Sequence, residues 1–451
     1  MERNKHDRPV PAIERIFGIR TAGSTVRVEV LAGITTFLTA MYIIVVNPAV
    51  LTQGGVPFSA ALTATVLVSF FGSCAMGLYA RNPVLVAPGM GMNALFAFVM
   101  VHGGGMPWQT ALGCVFWSGV IFALLALFNV RKLVVDAIPE NLRHAVSCGI
   151  GLFITLIGLV NAKFIVGDPV TLVHSATLNP VLLTFLAGVA LTVWLVARRV
   201  KGALMIGIVL TTVLAIPIGR WWGDGSAYGA TVTLVNWQGF VAAPDFSAIG
   251  QLDLLGSLKL AYWPFIFVML FTSFFDALST FMAVSDVGKL VDEHGVPRNI
   301  RQSMMVDAFS ALLSAPLGTS PANAFIESAA GISQGGRTGL VAVVAGLCFL
   351  PFLFLSPLLS LVPAIATAPA LILVGVFMIE SITRIEWQRF DEAVPAFVAM
   401  ILIPLTYSIT DGVAYGFLAY VLLKLATGRA REVKPAMWVI VALAVVLLAH
   451  L

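Results

Sequence analysis

Three carboxylates stand inside stretches that are otherwise almost free of charge: Asp276 in FTSFFDALSTF, Asp307 in MVDAFSALLSAP and Glu327 in ANAFIESAAG. At the centre of a membrane segment an acid costs roughly 2.5–3.5 kcal/mol on insertion scales, so each needs a proton, a hydrogen bond or a ligand to offset it. Asp276 has no basic residue within several helical turns. Glu327 follows a run, Gly318 to Phe325, that cannot hold a regular helix. A half-helix starting there would aim free N–H groups and a positive dipole end at the acid. Asp307 fits two readings equally, a brace for that broken neighbour or a proton carrier. Asp286, Glu380 and Asp411 fall at segment ends, where capping accounts for them.

A second feature is a glycine pattern. In APGMGMNALFAF, residues 87–98, Gly89, Gly91 and Ala94 fit the dinucleotide fingerprint G-x-G-x-x-G/A. A true nucleotide turn needs a strand before it, a helix after it and an acid about 20 positions on. Residues 108–130 supply another apolar stretch without an acid, so the pattern marks a break in a membrane segment instead. Pro83, Pro88, Gly89 and Gly91 interrupt the helix, and Val84–Ala87 reads as extended. The same grammar recurs from Gly318 to Gly331. Cys74, Cys114, Cys148 and Cys348 show no paired spacing, and the six histidines (His6, His102, His144, His174, His294, His450) sit in loops, tails and segment ends. No metal, disulfide or cofactor is expected, and any buried proton carrier is a carboxylate.

The elements that must position these groups follow from composition. Of 451 residues 59% are hydrophobic and 11% charged, with mean hydropathy +0.97, against about 25% charged in a soluble domain. The reading is an all-α polytopic membrane protein. Apolar stretches fall near 28–50, 59–80, 83–101, 108–130, 145–162, 181–197 and 202–219, then near 260–285, 302–317, 322–334, 338–358, 365–380, 394–408 and 411–427: fourteen, as seven plus seven. The piece 436–449 is short for a span and reads as interfacial or packed on the bundle. With fourteen spans the inner side collects the basic residues, from Arg81 through Arg131, Lys132 and Arg143 to Arg384 and Arg389, with Lys424 at the inner end of the last span. Only Lys163, Arg220 and Lys259, three of 26, fall outside. Both termini are therefore expected in the cytoplasm, and no cleaved signal peptide is expected in the first 27 residues. The net charge of +4 reports topology, not nucleic-acid binding.

Each break is third in its own set of seven. Two short interrupted segments in matching positions point to an inverted-repeat transporter with its site at the midplane, because non-helical backbone at that depth must be buried in protein or line a cavity. A channel or anion carrier would want basic residues in the centres of segments 3, 8 and 10, which have none. An intramembrane enzyme would need a nucleophile with a base or a metal cluster, and the spacings supply neither.

These residues resemble the nucleobase-cation symporter-2 family, and within it the AzgA-like adenine, guanine and hypoxanthine permeases. The resemblance runs over about residues 12–435 and is carried by EVLAGITTFLTAMYIIVVNPAVL, APGMGMNALFAF, GIGLFITLIGLVNA, IESAAG with GGRTGL, and TAPALILVGVFM. It implies import of purine nucleobases by cation symport, with protons favoured over Na+, in a cell-membrane carrier; uracil or xanthine is the alternative cargo. It also implies a core domain, segments 1–4 (28–130) and 8–11 (260–358), and a gate domain, segments 5–7 (131–220) and 12–14 (359–428). A cytoplasmic arm (1–27), an extracytoplasmic loop (221–259) and a basic linker with a short apolar helix (429–451) complete the chain. Short antiparallel strands are implied in segments 3 and 10, with Val84–Ala87 as one of them and Gly91–Phe98 beginning the half-helix behind it.

Carried over residue by residue, the substrate contacts fall on Asn93, Asp276 and Glu327, with Phe275 and Phe325 (and Phe274) available to stack on a ring and Asp276, Glu327 and Asp307 available for proton coupling. Carboxylates accept from ring N–H groups, and an Asn amide pairs both ways with an adenine-like edge. The positive end of a half-helix favours the charged form of Glu327, so Asp276 is the stronger candidate to hold a proton. A homodimer held through segments 5 and 12–14 is also implied. The chain departs from the family's V-D-L-F-D-T-x-G-T at Ser273, Ala277 and Ser279, and from its S-T-x-T-T/S-Y in the run Ser320, Pro321, Ala322, Asn323, Ala324, Phe325, so its choice among purines is open to a shift.

Overall fold

The computed structural model describes residues 12–128, 139–169, 171–226, 232–237, 239–291, 297–435 and isolated positions between 437 and 445. Residues 1–11 of the basic arm, with His6, and Arg131, Lys132, His294, His450 and most of 436–449 lie outside the described residues. Among the described residues, eight helices are long and apolar enough to cross a membrane. Besides two short helices, Ala12–Phe17 and Ser356–Leu359, the helices in chain order are α1 (Val26–Ala40), α2 (Ile43–Gln53), α3 (Phe58–Ala75), α4 (Met90–Ala94, running on to Gly103 in a wider turn), α5 (Trp108–Leu127), α6 (Glu140–Asn161), α7 (Pro180–Ala197) and α8 (Ala203–Ala215). There follow α9 (Trp263–Gly288), α10 (Ile300–Leu317), α11 (Ser328–Ser333), α12 (Leu340–Phe349), α13 (Ala364–Ile379), α14 (Phe390–Leu405) and α15 (Ile409–Ala426). Strand β1 (Val86–Pro88) precedes α4, β2 and β3 (Ile165–Asp168, Leu172–Ser175) form a hairpin after α6, and β4 (Ala322–Ala324) precedes α11.

Packing sorts the helices into two groups. In one, α1 and α3 hold α12, α5 holds α10, and α9 lies along α5 and α11. In the other, α6 packs on α13 and α14, α14 on α15, and α7 on α8 and α13. Glycine sets the closest approach in the first group: a Cβ on Gly77 or Gly339 would strike the other's carbonyl.

Between the helices of the first group lies a two-stranded antiparallel sheet of β1 and β4, in register Val86↔Ala324, Ala87↔Asn323 and Pro88↔Ala322. Gly89 N donates to Pro321 O at 3.0 Å and Phe325 N to Leu85 O at 2.9 Å, closing the ladder at both ends. The strand therefore lies two residues later than Val84–Ala87 at its start, because the partner strand, not the local run of β-branched residues, fixes the register. Pro88, which has no N–H, is tolerated because β1 is an edge strand of a two-stranded sheet. The half-helix begins at Met90 rather than Gly91, and α6 begins five residues before the apolar run that marks it, on Pro139.

A sheet of two strands has two open edges, and inside a bilayer each unpaired backbone group costs several kcal/mol. Both edges are closed by side chains of adjacent helices. Ser73 of α3 takes Val86 N (3.0 Å) and gives to Val86 O (3.1 Å); on the far edge Ser314 of α10 takes Ala322 N (3.0 Å) and Asp307 Oδ1 takes Ala324 N (2.6 Å). The turn after α11 is held likewise: the fully buried Glu29 accepts from Arg337 N (3.0 Å), Thr338 N (3.0 Å) and the Thr338 hydroxyl (2.7 Å), which is the structural role of GGRTGL.

Two further ties sit at the ends. In the 221–259 loop, Ser59 gives its hydroxyl to Asp245 at 2.6 Å, holding that carboxyl below its ordinary value, and Asp245 N returns a bond to Thr63. In the second group, Lys424 is wholly buried and bonds Asp391, Glu392 and Glu432 at 2.7 Å each, with Arg389 and Arg429 also on Asp391. That knot draws residues after α15 back onto the bundle, where Met437 and Val441 pack with Leu142, Ala145 and Phe417.

Ser73→Ala leaves Val86 N without an acceptor at a site closed to water. Thermal unfolding in detergent should show a loss of about 1–3 kcal/mol, against no change for exposed Ser333→Ala. Equal melting of the two variants would mean that the strand edge is held by something else.

Candidate functional site

α9 runs past the sheet, and its Asp276 meets β4 there: Asn323 Nδ2 donates to Asp276 Oδ2 at 3.2 Å. Asp276 is also exposed to a cavity of about 250 Å³ between α9, α6, α13 and α15. It is lined by Gly91, Met92, Phe275, Asp276 and Ser279, and by the charged or titratable Glu140, Arg143, His144, Asp286 and Arg384. The volume falls near the small end of the ~300–1,000 Å³ usual for small-molecule sites. Phe275 forms part of the wall, stacked on Phe271 with centroids 6.1 Å apart and with the Arg143 guanidinium 5.2 Å from its ring centroid. An acid beside a flat aromatic in a small cavity suits a planar neutral ligand with N–H donors.

The other expected residues divide. Glu327 opens α11, half-buried, and its Oε1 accepts from the Tyr42 hydroxyl at 2.6 Å, while Thr39 bonds its carbonyl. It does not line the cavity. Asn93 is wholly buried with Oδ1 on the Ser320 hydroxyl and Nδ2 facing Met90 Sδ at 3.7 Å. That pair extends to Asn47, which donates to Thr65 and Thr319, so Asn93 belongs to a network stitching α2, α3 and α4 to the second break. Asp307 is wholly buried on β4, its Oδ2 without a hydrogen-bond partner among the described residues. Phe325 and Phe274 are core residues, Phe274 edge-on to Phe122.

Sequence reasoning missed Tyr42, Asn47 and Arg143 as neighbours of these groups and treated Asn323 only as a departure from a pattern. Tyr42 and Asn47 lie in the quoted stretch MYIIVVNP, and an Asn beside a Pro in an apolar segment was the available signal. Nothing local marks Arg143.

Solved structures place this architecture. The transmembrane domain of a cyanobacterium bicarbonate transporter, BicA, superimposes with a TM-score of 0.61 at 18% identity, covering 88% of this chain and 97% of that one. The fold is that of a mostly helical, multi-pass membrane transporter. Residues 27–414 match the Permease family, and the chain belongs to it. Adenine permease AdeP of Escherichia coli (strain K12) is 43% identical over 439 residues, 96% of this chain and 95% of that protein. Guanine/hypoxanthine permease PbuG of Bacillus subtilis (strain 168) is 39% identical, over 94% of this chain and 97% of its own.

Tyr42 and Glu327 should behave as one unit. In a double-mutant cycle of Tyr42→Phe and Glu327→Gln, unfolding in detergent should give a coupling of about 0.5–3 kcal/mol; additive losses would show that the bond is not made in the protein.

Proposed function

We propose that the chain is a secondary active transporter that imports purine nucleobases across the cell membrane in symport with protons. The observation that carries this reading is Asp276, an acid in a membrane-spanning helix that opens into a cavity beside a broken segment. The adenine and guanine/hypoxanthine permeases that match this chain over nearly its full length support the same cargo.

The arrangement is read as fourteen segments in two inverted sevens. In support, β1 and β4 run antiparallel, and each takes a serine hydroxyl from the helix before it, Ser73 of α3 and Ser314 of α10, as an inverted repeat would produce. The packing groups correspond to a core (28–130, 260–358) and a gate (131–220, 359–428) that move against each other about the site. Asp276 holds the base and its proton in the cavity, Glu327 takes hold of the base once it leaves Tyr42, Phe275 stacks on the ring, Asp307 and Asn93 keep the broken segments in shape, both termini face the cytoplasm, and gate helices form a homodimer contact.

Counterflow in proteoliposomes, with a purine and pyrimidine panel under a pH gradient and then a Na+ gradient, tests the cargo and the ion together. Asp276→Asn mimics a permanently protonated side chain and should lose accumulation under a pH gradient by at least about tenfold while exchange persists. Glu327→Ala should lose binding in calorimetry. An Asp276→Asn protein that accumulates base as well as wild type removes the coupling role from that residue.

A further inference from the structure

Arg143 is a charged group of the cavity wall to which the transport reading gives no task. Two side chains of opposite chemistry line this space from different packing groups: the carboxylate of Asp276 on α9 and the guanidinium of Arg143 near the start of α6. Phe275 ties them to one spot. It is next to Asp276 in the chain, lines the same cavity, and has Arg143 Cζ 5.2 Å from its ring centroid. That distance lies inside the ~6 Å reach of a cation–π attraction but outside the about 3.5–4.0 Å of carbon atoms in contact, so the guanidinium carbon is not packed on the middle of the ring. The other cations of the wall are placed differently: His144 Nε2 lies 3.5 Å from Glu140 Oε1, and Arg384 is exposed.

Together the two groups make a donor–acceptor pattern. An ionised carboxylate only accepts, whereas a guanidinium only donates, through N–H groups in a fixed fork suited to two neighbouring acceptors. Along one edge a 6-oxopurine offers N1–H, O6 and N7 in that order: a donor, then two acceptors. Adenine offers N1, the N6 amine and N7: acceptor, donor, acceptor. Only the first order is complementary to a carboxylate followed by a fork, and Arg on O6 and N7 is the pairing that recurs most often in base recognition. The adenine amine would set its N–H against those of the fork, whether Asp276 is charged or protonated.

We infer that Arg143 is a specificity-determining residue that selects 6-oxopurines, its guanidinium donating to O6 and N7 of a base that lies on Phe275 and gives its N1–H to Asp276. This rests on the proposed purine transport. Asp276 alone cannot make the choice, because its oxygens accept from any N–H, the adenine amine included. Since Arg143 belongs to the second packing group and Asp276 to the first, the bound base is held by both.

The test is competition against uptake of a labelled purine, hypoxanthine or adenine, in proteoliposomes of the full chain, with unlabelled hypoxanthine, 7-deazahypoxanthine and adenine as competitors. The deaza compound keeps N1–H and O6 but has a C–H in place of N7. In wild type, hypoxanthine should compete at roughly tenfold lower concentration than either of the others, the change expected for one hydrogen bond. Arg143→Lys keeps the charge and loses the fork. In that variant the three should fall within about twofold of one another, with hypoxanthine losing most. Hypoxanthine still ahead by about tenfold, or all three weakened equally, would make Arg143 structural and overturn the inference. Should the variant not reach the membrane, the wild-type series decides alone: adenine or 7-deazahypoxanthine competing as well as hypoxanthine overturns it. Transport of no purine by wild type would instead overturn the parent reading.

Discussion

The fold turns on one constraint: two stretches of backbone leave the helical state between membrane-spanning helices, and every N–H and C=O they release must find a partner without water. The partners include each other and four side chains, among them Ser328, which accepts from Leu85 N at 2.9 Å. Val86, Pro88, Ala322 and Ala324 share a ladder, while Ser73, Ser314 and Asp307 close its edges. Because those three side chains come from α3 and α10, the sheet can exist only where these helices flank it, and α4 and α11 then start from fixed points. Position of the half-helices, and of Glu327 at the head of one, is a consequence of this accounting.

The same accounting explains why a protein with so few charges buries so many. Glu29 satisfies three donors of a turn, Asp307 one strand amide, and Lys424 bonds three acids, with Arg389 and Arg429 beside it, while tying the residues after α15 to the bundle. For buried charges of this kind desolvation offsets much of the attraction, so they are weak evidence of net stability. Asp276 is different: its neighbours include one amide and a cavity. An acid with that surrounding is suited to work.

Much of this was legible in the sequence. The apolar stretches, both breaks and all three intramembrane acids are signalled by composition and by Gly and Pro, and the helices with strands β1 and β4 fall on those stretches, whereas the β2–β3 hairpin lies between two of them and carried no such signal. The register of β1 was not legible, since it depends on a partner more than 230 residues away. The sorting of the acids was not legible either: only the packing of α10 on β4 distinguishes Asp307, with one oxygen on a backbone amide, from Asp276, facing the cavity. Asn93 and Asn323 show the same limit in reverse. Both are amides in broken segments, and contact geometry alone puts Asn93 in a structural network and Asn323 on the acid beside the cavity.

The central claim is that the space beside Asp276 is where a purine base binds. In a background with Cys74, Cys114, Cys148 and Cys348 replaced, Ser279→Cys puts a thiol on the cavity wall one turn from Asp276, and Ser333→Cys puts one on the exposed end of α11. The rate of thiol modification at each should be measured with and without saturating adenine, guanine or hypoxanthine. The account predicts that a transported base slows modification at position 279 by at least about tenfold and leaves position 333 unchanged; equal rates at 279 with and without every base would contradict it.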